Sequence, residues 1–361
     1  MSKNKTVFIV TQTFPPAIGG IETVMLELSK RFSNDGYDVV VFSDKKFDAS
    51  LEDFSVIPIT VPKFLRKHAK KLALYIRARK TPPSIVVCDS WKSIEALPNF
   101  ISCRVCVLAH GQEYLVSGRK KRRVEKNIIK SDIVVPSSQY TADLVALVSA
   151  EAIGKTHVIY PTYSITGPGD IEKKHRRPRR RLLSISRLDK RKGHSQVLEG
   201  LASIIGSLPP FEWVIAGDGP SRRPLEKLAT ELGLSSYVRF IGKINDIEKE
   251  KLLLESDLFL MPSVQLDGSV EGFGISYVEA ASYGIPSIAG RSGGAIEAVI
   301  DGQTGWNVDP NNIAQLSSVL LEVISDREEL LSRGVKAKKT FLESFAGDVS
   351  WAKFKLACGL D

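Results

Sequence analysis

Two carboxylates stand eight residues apart in a glycine-rich stretch, and their spacing is the first sign of chemistry in this chain. Glu271 comes just before a turn at 272–274, and Glu279 falls inside the helix that we predict to follow. Eight helical residues rotate about 80° beyond whole turns and rise about 12 Å, so these carboxylates cannot act on one atom. We expect them to hold two ends of one extended ligand. The alternative is that Glu279 only caps or pairs on a helix surface, although a buried carboxylate without a partner is costly.

Two cations and two glycine pairs occur where predicted strands give way to helices. Arg187 ends a predicted strand, and Lys192 follows five residues later, just before a helix. Because ligands bind at the carboxyl ends of strands in open α/β sheets, these cations would neutralise a diphosphate there. The glycine pairs at 19–20 and 293–294 would expose backbone amides, which bind anions. The alternative in each case is ordinary: solvated surface cations, and glycines that only shape a loop.

Several kinds of site are disfavoured by residues at fixed spacings. The glycines of 216–220 do not complete a dinucleotide fingerprint, because Arg222 occupies the position that requires the third glycine. Cys103 and Cys106 would point to opposite faces of a predicted strand, which disfavours a redox or zinc pair. The sequence contains no Asp-x-Asp pair. We therefore expect no metal cofactor, so that the charge of a bound diphosphate would be met by fixed cations and helix amides.

Ten short apolar runs predict the strands that must position these groups. Five precede residue 164 and five follow residue 181, and such runs are typical of parallel strands covered by helices on both faces. We therefore predict an α/β protein of two doubly wound, Rossmann-like domains. The predicted ranges are 1–163 for the first domain, 164–181 for a linker, and 182–347 for the second domain. The last helix, 348–361, is expected to pack back on the first domain.

Charge is divided unevenly along the chain. The net charge of +9 combines +14 for residues 1–181 with −5 for the remainder, so an anionic partner is expected for the first half. Because the sequence has no apolar run of about 18 residues, we predict that it has no membrane span, and we also predict no signal peptide.

A basic amphipathic helix is predicted within 61–88, a segment without Asp or Glu. On a helical wheel its basic and apolar residues fall on opposite sides. Its basic side carries Lys63, Arg66, Lys67, Lys70, Lys71 and Arg77, and its apolar side carries Phe64, Leu65, Leu72, Tyr75 and Ile76. Such a helix would lie on an anionic membrane, or its apolar side would pack on the domain's own sheet.

Six motifs in a fixed order resemble those of the retaining GT-B glycosyltransferases of family four. They are FPPAIGG, HGQE, SRLDKRKGH, GDGP, EGFGISYVE and GGAIEAVIDGQTGW, and they span nearly the whole chain. Within that family, the chain is similar to bacterial α-mannosyltransferases that use GDP-mannose, including those that act on phosphatidylinositol mannosides. The resemblance implies the GT-B fold, with two Rossmann-like domains facing across a cleft, and a nucleotide-sugar donor.

The resemblance also implies a role for each matching residue. Glu271 would hold hydroxyls of the transferred sugar, Glu279 would take the ribose hydroxyls, and His110 would face the reacting sugar. Because the family is thought to use the leaving phosphate as base, His110 is assigned to positioning and charge stabilisation. The catalytic residues implied are His110 and Glu271. The donor-binding residues implied are Gly20, Arg187, Lys192, Gly217, Ile244, Phe273, Gly274, Ile275 and Glu279.

The expected activity is transfer of a hexose, with mannose from GDP-mannose favoured, to a lipid-linked or polysaccharide acceptor at a membrane surface. The alternatives are a UDP-sugar-dependent transferase of the same family and a sugar-nucleotide epimerase. The basic run 119–123 favours a lipid-linked or phosphorylated acceptor. That run and 173–181 lack interleaved aromatic residues, which disfavours nucleic acid as a partner. We expect a cytoplasmic protein and hypothesise peripheral attachment to the cytoplasmic membrane face.

Overall fold

Two six-stranded parallel sheets organise the chain. One belongs to a unit made of Met1–Ser164 and Gly347–Asp361, and the other to a unit made of Ile165–Ala346. The predicted α/β class is therefore confirmed. The computed structural model describes residues 5–17, 19–99, 101–165, 167–168 and 179–360.

The first unit alternates strands and helices along the chain. Its strands are β1 (Thr6–Thr11), β2 (Asp38–Ser43), β3 (Ser55–Pro58), β4 (Ile85–Cys88), β5 (Arg104–Ala109) and β6 (Ile133–Pro136). Its helices before the second unit are α1 (Gly20–Asn34), α2 (Arg66–Lys80), α3 (Trp91–Ile94), α4 (Gly118–Ile128) and α5 (Gln139–Val148). The order across the sheet is β3-β2-β1-β4-β5-β6, so the winding reverses between β1 and β4.

The second unit repeats this arrangement. Its strands are β7 (Arg180–Ile185), β8 (Phe211–Ala216), β9 (Val238–Gly242), β10 (Leu258–Met261), β11 (Ser287–Gly290) and β12 (Gly305–Val308). Its helices are α6 (His194–Ile204), α7 (Arg222–Glu231), α8 (Asp246–Glu255), α9 (Ile275–Ser282), α10 (Ala295–Ala298), α11 (Ile313–Ser325) and α12 (Arg327–Thr340). The order is β12-β11-β10-β7-β8-β9, and the winding reverses between β7 and β10. Ligands of open α/β sheets bind outside the carboxyl ends of the strands at such a reversal.

The last helix, α13 (Gly347–Cys358), packs on the first unit. The ring of Trp351 meets the ring of Phe32 on α1 edge-on, with centroids 5.0 Å apart. The ammonium group of Lys355 lies 2.8 Å from a carboxylate oxygen of Asp35, just after α1. The first unit therefore takes part of its core from the end of the chain.

Two strands and one boundary differ from the sequence predictions. Strands β3 and β12 were not predicted, because both are short edge strands. The residues of β3 are half-buried or exposed, and β12 contains glycine and asparagine in place of a continuous apolar run. Strand β7 begins at Arg180, inside the predicted linker, while 169–178 of that linker lie outside the described residues.

Helix α2 contacts its unit through a face that the sequence pattern did not indicate. Leu74 is buried there, and so is Lys70, whose Nζ donates to the carbonyl of Thr11 at 2.7 Å and pairs with Asp44 at 2.5 Å. The predicted apolar side is exposed to solvent, so the alternative in which it packs on the domain's own sheet is wrong. Its members and their exposed fractions are Phe64 (79%), Leu65 (44%), Leu72 (59%), Tyr75 (39%) and Ile76 (49%). We call these five residues the exposed stripe.

Candidate active site

A group of three charged side chains lies beyond the carboxyl ends of β7 and β10, where the second sheet reverses its winding. One carboxylate oxygen of Glu271, Oε2, accepts from Lys192 Nζ at 2.6 Å and from Arg191 Nη1 at 2.7 Å. All three side chains are nearly buried, with exposed fractions of 12% to 14%. We call this group the Glu271 cluster.

The loops after β7 and β10 are fastened together, and this fixes the cations of the cluster. The side chain of Asp189 accepts from the backbone N–H of Arg191 at 3.1 Å and so caps a short turn. The carbonyl of Arg191 accepts from the N–H of Val264 at 2.7 Å. Gly193 has a φ of +76°, and a Cβ there would lie 2.0 Å from the carbonyl oxygen of Pro262. A side chain at this position would therefore force the two loops apart.

The environment of Glu271 keeps its carboxylate charged. Burial would raise the pKa of Glu271, but the charges of Lys192 and Arg191 lower it to about 2. The hydroxyl of Ser263 lies 3.4 Å from the same oxygen Oε2. Among the described residues, nothing donates a hydrogen bond to the second oxygen, Oε1, which is therefore open to a ligand.

Glu279 is the fifth residue of α9 and has its own cation. Its Oε1 lies 2.9 Å from Nζ of Lys249 on α8. Burial lowers the pKa of Lys249, but Glu279 outweighs this effect and the net shift is upward. Pairing near a helix surface was the alternative interpretation of Glu279, and the structure shows that pairing. Its ribose-binding role stays a prediction.

Arg187 differs from Lys192, the other predicted cation, because its side chain has no partner among the described residues. Its side chain is exposed just beyond β7, and no described residue forms an ion pair with it. Lys192, by contrast, is held by Glu271. The cluster together with Arg187 therefore carries three cations against one carboxylate.

The remaining donor-side residues of the second unit are spread over several loops. Gly274 precedes α9 with a φ of +95°, and Ile275 begins that helix. Phe273 is buried, with its ring 5.8 Å from that of Phe345. The N–H of Gly217 donates to the carbonyl of Gly242, the last residue of β9, at 2.7 Å. Ile244 lines a pocket of about 570 Å³ beside α8, and the Glu271 cluster is not part of that lining. Its donor-binding role stays a prediction.

The predicted residues of the first unit lie at the reversal point of its own sheet. His110 follows β5, and its Nε2 lies 2.8 Å from the carbonyl oxygen of Asp89, which follows β4. The buried carboxylate of Asp89 accepts from the N–H of Gln12 at 2.7 Å and from the hydroxyl of Thr11 at 2.9 Å. Gly20 begins α1 at the end of the same loop. Asp89 therefore fixes both the histidine and the loop that leads to Gly20.

Three residues of these sites were missed by sequence reasoning. Arg191 stands next to Lys192 in the SRLDKRKGH motif, and only the structure shows that both contact Glu271. Lys249 lies 30 residues from its partner. Asp89 directly follows the apolar run of β4, a position that could have marked it as a residue at the carboxyl end of a strand.

Two family models match the chain in succession. The model described as Glycosyltransferase Family 4 matches residues 18–165, and the model described as Glycosyl transferases group 1 matches residues 170–340. The chain belongs to the glycosyltransferases. Both matches agree with the family resemblance predicted from the motifs.

Relatives of this glycosyltransferase are found among both sequences and structures. It is 28% identical to a GDP-mannose-dependent monoacylated alpha-(1-6)-phosphatidylinositol monomannoside mannosyltransferase of Corynebacterium glutamicum, over 90% of each chain. It is 33% identical to a GDP-mannose-dependent alpha-(1-6)-phosphatidylinositol monomannoside mannosyltransferase of Mycolicibacterium smegmatis, over 45% of this chain and 44% of that one. HepE of Anabaena, solved with UDP, has a TM-score of 0.81 at 20% identity and covers 98% of this chain and 100% of its own. The last likeness confirms the GT-B fold class.

Replacement of Glu271 by glutamine is expected to remove one acid-sensitive contribution to stability. The folded pKa of about 2 lies below the ordinary 4.5, so the carboxylate stabilises the fold above pH 4.5 and loses this effect as the pH falls towards 2. At about 1.4 kcal/mol per pKa unit, the full loss is about 3 kcal/mol, of which about 2 kcal/mol falls between pH 4.5 and pH 3. Urea unfolding at about four pH values between 7 and 3 measures the change in the free energy of unfolding.

Both proteins should share a second acid effect, which serves as the internal control. Burial and the charge of Lys192 lower the pKa of His194 to about 3. As the pH falls, His194 is therefore protonated in the unfolded chain before it is protonated in the folded chain, and the free energy of unfolding decreases below pH 6.5. Equal losses between pH 4.5 and 3 in the wild type and in Glu271→Gln would contradict the assignment of the ionised state to Glu271.

Proposed function

We propose that this glycosyltransferase transfers mannose from GDP-mannose to a lipid-linked or polysaccharide acceptor, with retention of configuration and without a metal. The observation that carries the proposal is the Glu271 cluster at the reversal point of the second sheet, together with Arg187, which follows β7 and pairs with no described residue. The two mannosyltransferase relatives support the choice of donor, because the name of each specifies GDP-mannose.

The excess of positive charge suits a diphosphate. Arg187, Arg191 and Lys192 all follow β7, and Glu271 balances one of their charges, which leaves two positive charges to meet the phosphates of a donor. When the sugar–phosphate bond breaks, negative charge grows on the leaving diphosphate, and fixed cations stabilise it where it appears. In this proposal Arg187 and Lys192 contact the diphosphate, while Arg191 holds Glu271 in place. The leaving phosphate then serves as the base for the acceptor hydroxyl.

The open oxygen of Glu271 suits a sugar. All of its described donors approach Oε2, so Oε1 can accept a hydrogen bond from a hydroxyl of the transferred hexose. A carboxylate held at one oxygen and open at the other orients its ligand, because the side chain cannot rotate away without breaking two ion pairs. Glu279 accepts from Lys249 through Oε1, and in this proposal it also accepts from the ribose hydroxyls.

His110 is assigned to positioning in the same proposal. Its ring is held at Nε2 by the carbonyl of Asp89, and its backbone N–H donates to Glu113 at 2.7 Å. A ring held at one nitrogen, on a backbone that is itself held, presents a constant surface to the reacting sugar. This arrangement supports charge stabilisation at the sugar.

Attachment to an anionic membrane is proposed for the first unit. The exposed stripe lies on α2 and just before it, and Lys67 and Lys71 belong to the same helix, so one segment carries both apolar and basic groups. Helices of this composition lie in the interface of anionic membranes. In the described part of the chain, no helix is long and apolar enough to cross a bilayer. Peripheral docking on the cytoplasmic face would bring the first unit to lipid-linked acceptors.

The double variant Arg187→Gln, Lys192→Met is expected to bind GDP-mannose more weakly and to turn it over more slowly. Each hydrogen bond to a charged group contributes about 1.5–3 kcal/mol, so Kd should rise roughly tenfold or more. Calorimetric titration and initial rates measure the two effects. The matched control is Arg223→Gln, Lys227→Met, which removes two exposed cations of α7 in the same unit. Unchanged affinity and rate in the first variant would refute the proposed diphosphate site.

Incubation with GDP-mannose tests the activity itself. With membrane lipid acceptors present, we expect a mannosylated product with retained anomeric configuration, and the rate should survive EDTA. Chromatography of the nucleotide sugars and NMR of the product provide the readouts. Conversion of the donor to another nucleotide sugar in the absence of acceptor would identify an epimerase. Loss of activity in EDTA that manganese restores would refute the metal-independent mechanism.

The double variant Phe64→Ser, Leu72→Ser is expected to lose membrane binding and keep its fold, since both side chains are exposed. Flotation with vesicles of phosphatidylcholine and phosphatidylglycerol at low salt measures the bound fraction. The control is Leu356→Ser, an equally exposed apolar residue on α13 of the same unit. Equal flotation of all three proteins would show that the exposed stripe does not dock on membranes.

A further inference from the structure

The first unit contains a pocket whose residues take no part in the proposed sugar transfer. It has a volume of about 610 Å³ and lies between α2, the segment that follows α3, and the end of α4. We call it the cationic pocket. Its charged lining residues are Lys67, Lys71, Glu95, Arg123, Lys126 and Lys130.

The single acid among the described lining residues is already neutralised. Both oxygens of Glu95 are engaged by Arg123, with Nε 2.6 Å from Oε1 and Nη2 2.7 Å from Oε2. Lys67 approaches the same carboxylate at 3.6 Å. The pocket therefore carries five cations against one carboxylate.

Three of these cations have no counter-charge in the part of the chain that the structure describes. For Lys71, Lys126 and Lys130, no described residue accepts a hydrogen bond or forms an ion pair. Like charges that face one cavity repel each other, and an anion bound between them would turn that repulsion into attraction. Flexible lysine side chains can meet the oxygens of one small anion from different directions.

The rest of the lining is well fixed and partly apolar. The guanidinium of Arg123 lies over the ring of Trp91, 5.5 Å from its centroid, and Asn127 donates to Glu95 at 3.1 Å. The buried side chains of Ile94 and Val105 form part of the apolar wall. A rigid wall with both polar and apolar parts is typical of pockets for small organic ligands, and the volume lies in their usual range.

The cationic pocket is separate from the site that holds His110. Val105, which lines it, is the second residue of β5, and His110 follows the last residue of that strand. Five residues of extended strand span about 16 Å. At Val105, therefore, the wall of the pocket lies about 16 Å along the strand from His110, which does not line the pocket.

We propose that the cationic pocket binds a phosphate-bearing head group. Lys71, which lines the pocket, directly precedes Leu72 of the exposed stripe, so the pocket borders the surface proposed to dock on membranes. The head group belongs either to an anionic lipid or to a soluble phosphate ester, since the two share the chemistry that the lysines recognise. The lipid source rests on the proposed membrane docking, whereas binding of a soluble ester does not.

The test compares two variants that each remove two positive charges from α4 and its end. Lys126→Ala, Lys130→Ala empties the cationic pocket of two unpartnered cations. Arg119→Ala, Lys120→Ala removes two exposed cations of the same helix that do not line the pocket. All four residues are exposed, so both variants should fold. Glycerol 3-phosphate, titrated by calorimetry, is the soluble probe, and vesicles containing phosphatidylglycerol are the lipid probe.

We expect saturable binding of glycerol 3-phosphate to the wild type and to the Arg119/Lys120 variant, and binding roughly tenfold weaker or worse in the Lys126/Lys130 variant. Vesicle flotation that falls in the same variant, and is competed by glycerol 3-phosphate, identifies a lipid source; unchanged flotation identifies a soluble one. No saturable binding to the wild type, or equal weakening in both variants, would overturn the proposal. Because these readouts need no turnover, the cationic pocket can be tested even if the proposed mannose transfer is wrong.

Discussion

A carboxylate withdrawn from water must be met by positive charge, and this requirement determines how the loops of the second unit come together. Glu271 draws Arg191 and Lys192 onto one oxygen, and their backbone is held against the loop after β10. Removing one member of such a buried group leaves an uncompensated charge, which is more costly than the ion pair is favourable. The same charge balance leaves one oxygen and one arginine open for ligands.

The first unit solves a similar problem with a different residue. Asp89 stands at the reversal point of its sheet and accepts hydrogen bonds from the loop after β1, while its carbonyl holds His110. In both units, a buried carboxylate at the reversal point joins loops that follow neighbouring strands. The equal strand order of the two sheets explains this parallel, because it brings the same pair of strand ends together each time.

Much of the fold was predictable because buried parallel strands are apolar throughout, and ten of the twelve strands were found this way. The edge strands β3 and β12 escaped because β3 is partly exposed and β12 interrupts its apolar residues with glycine and asparagine. The site was predictable as a set of charged residues near strand ends. The partner of each cation was not, since Arg191 and Lys192 are equivalent in sequence.

Helix α2 shows the limit of a helical wheel most clearly. The wheel separated the basic from the apolar side correctly, but it carries no information on which side meets the sheet. The structure buries Lys70 because its ammonium group finds both Asp44 and a backbone carbonyl, while its aliphatic stem packs beside Leu74. The apolar side is then left in water, although apolar helix faces are ordinarily buried against the rest of the protein.

The return of α13 to the first unit makes the second unit an insertion within it. During synthesis, Phe32 can pack against Trp351 only after more than three hundred further residues have been added to the chain. The inserted unit, by contrast, is a continuous segment that is complete before the chain ends. During synthesis on the ribosome, the second unit is thus expected to fold completely before α13 completes the core of the first unit.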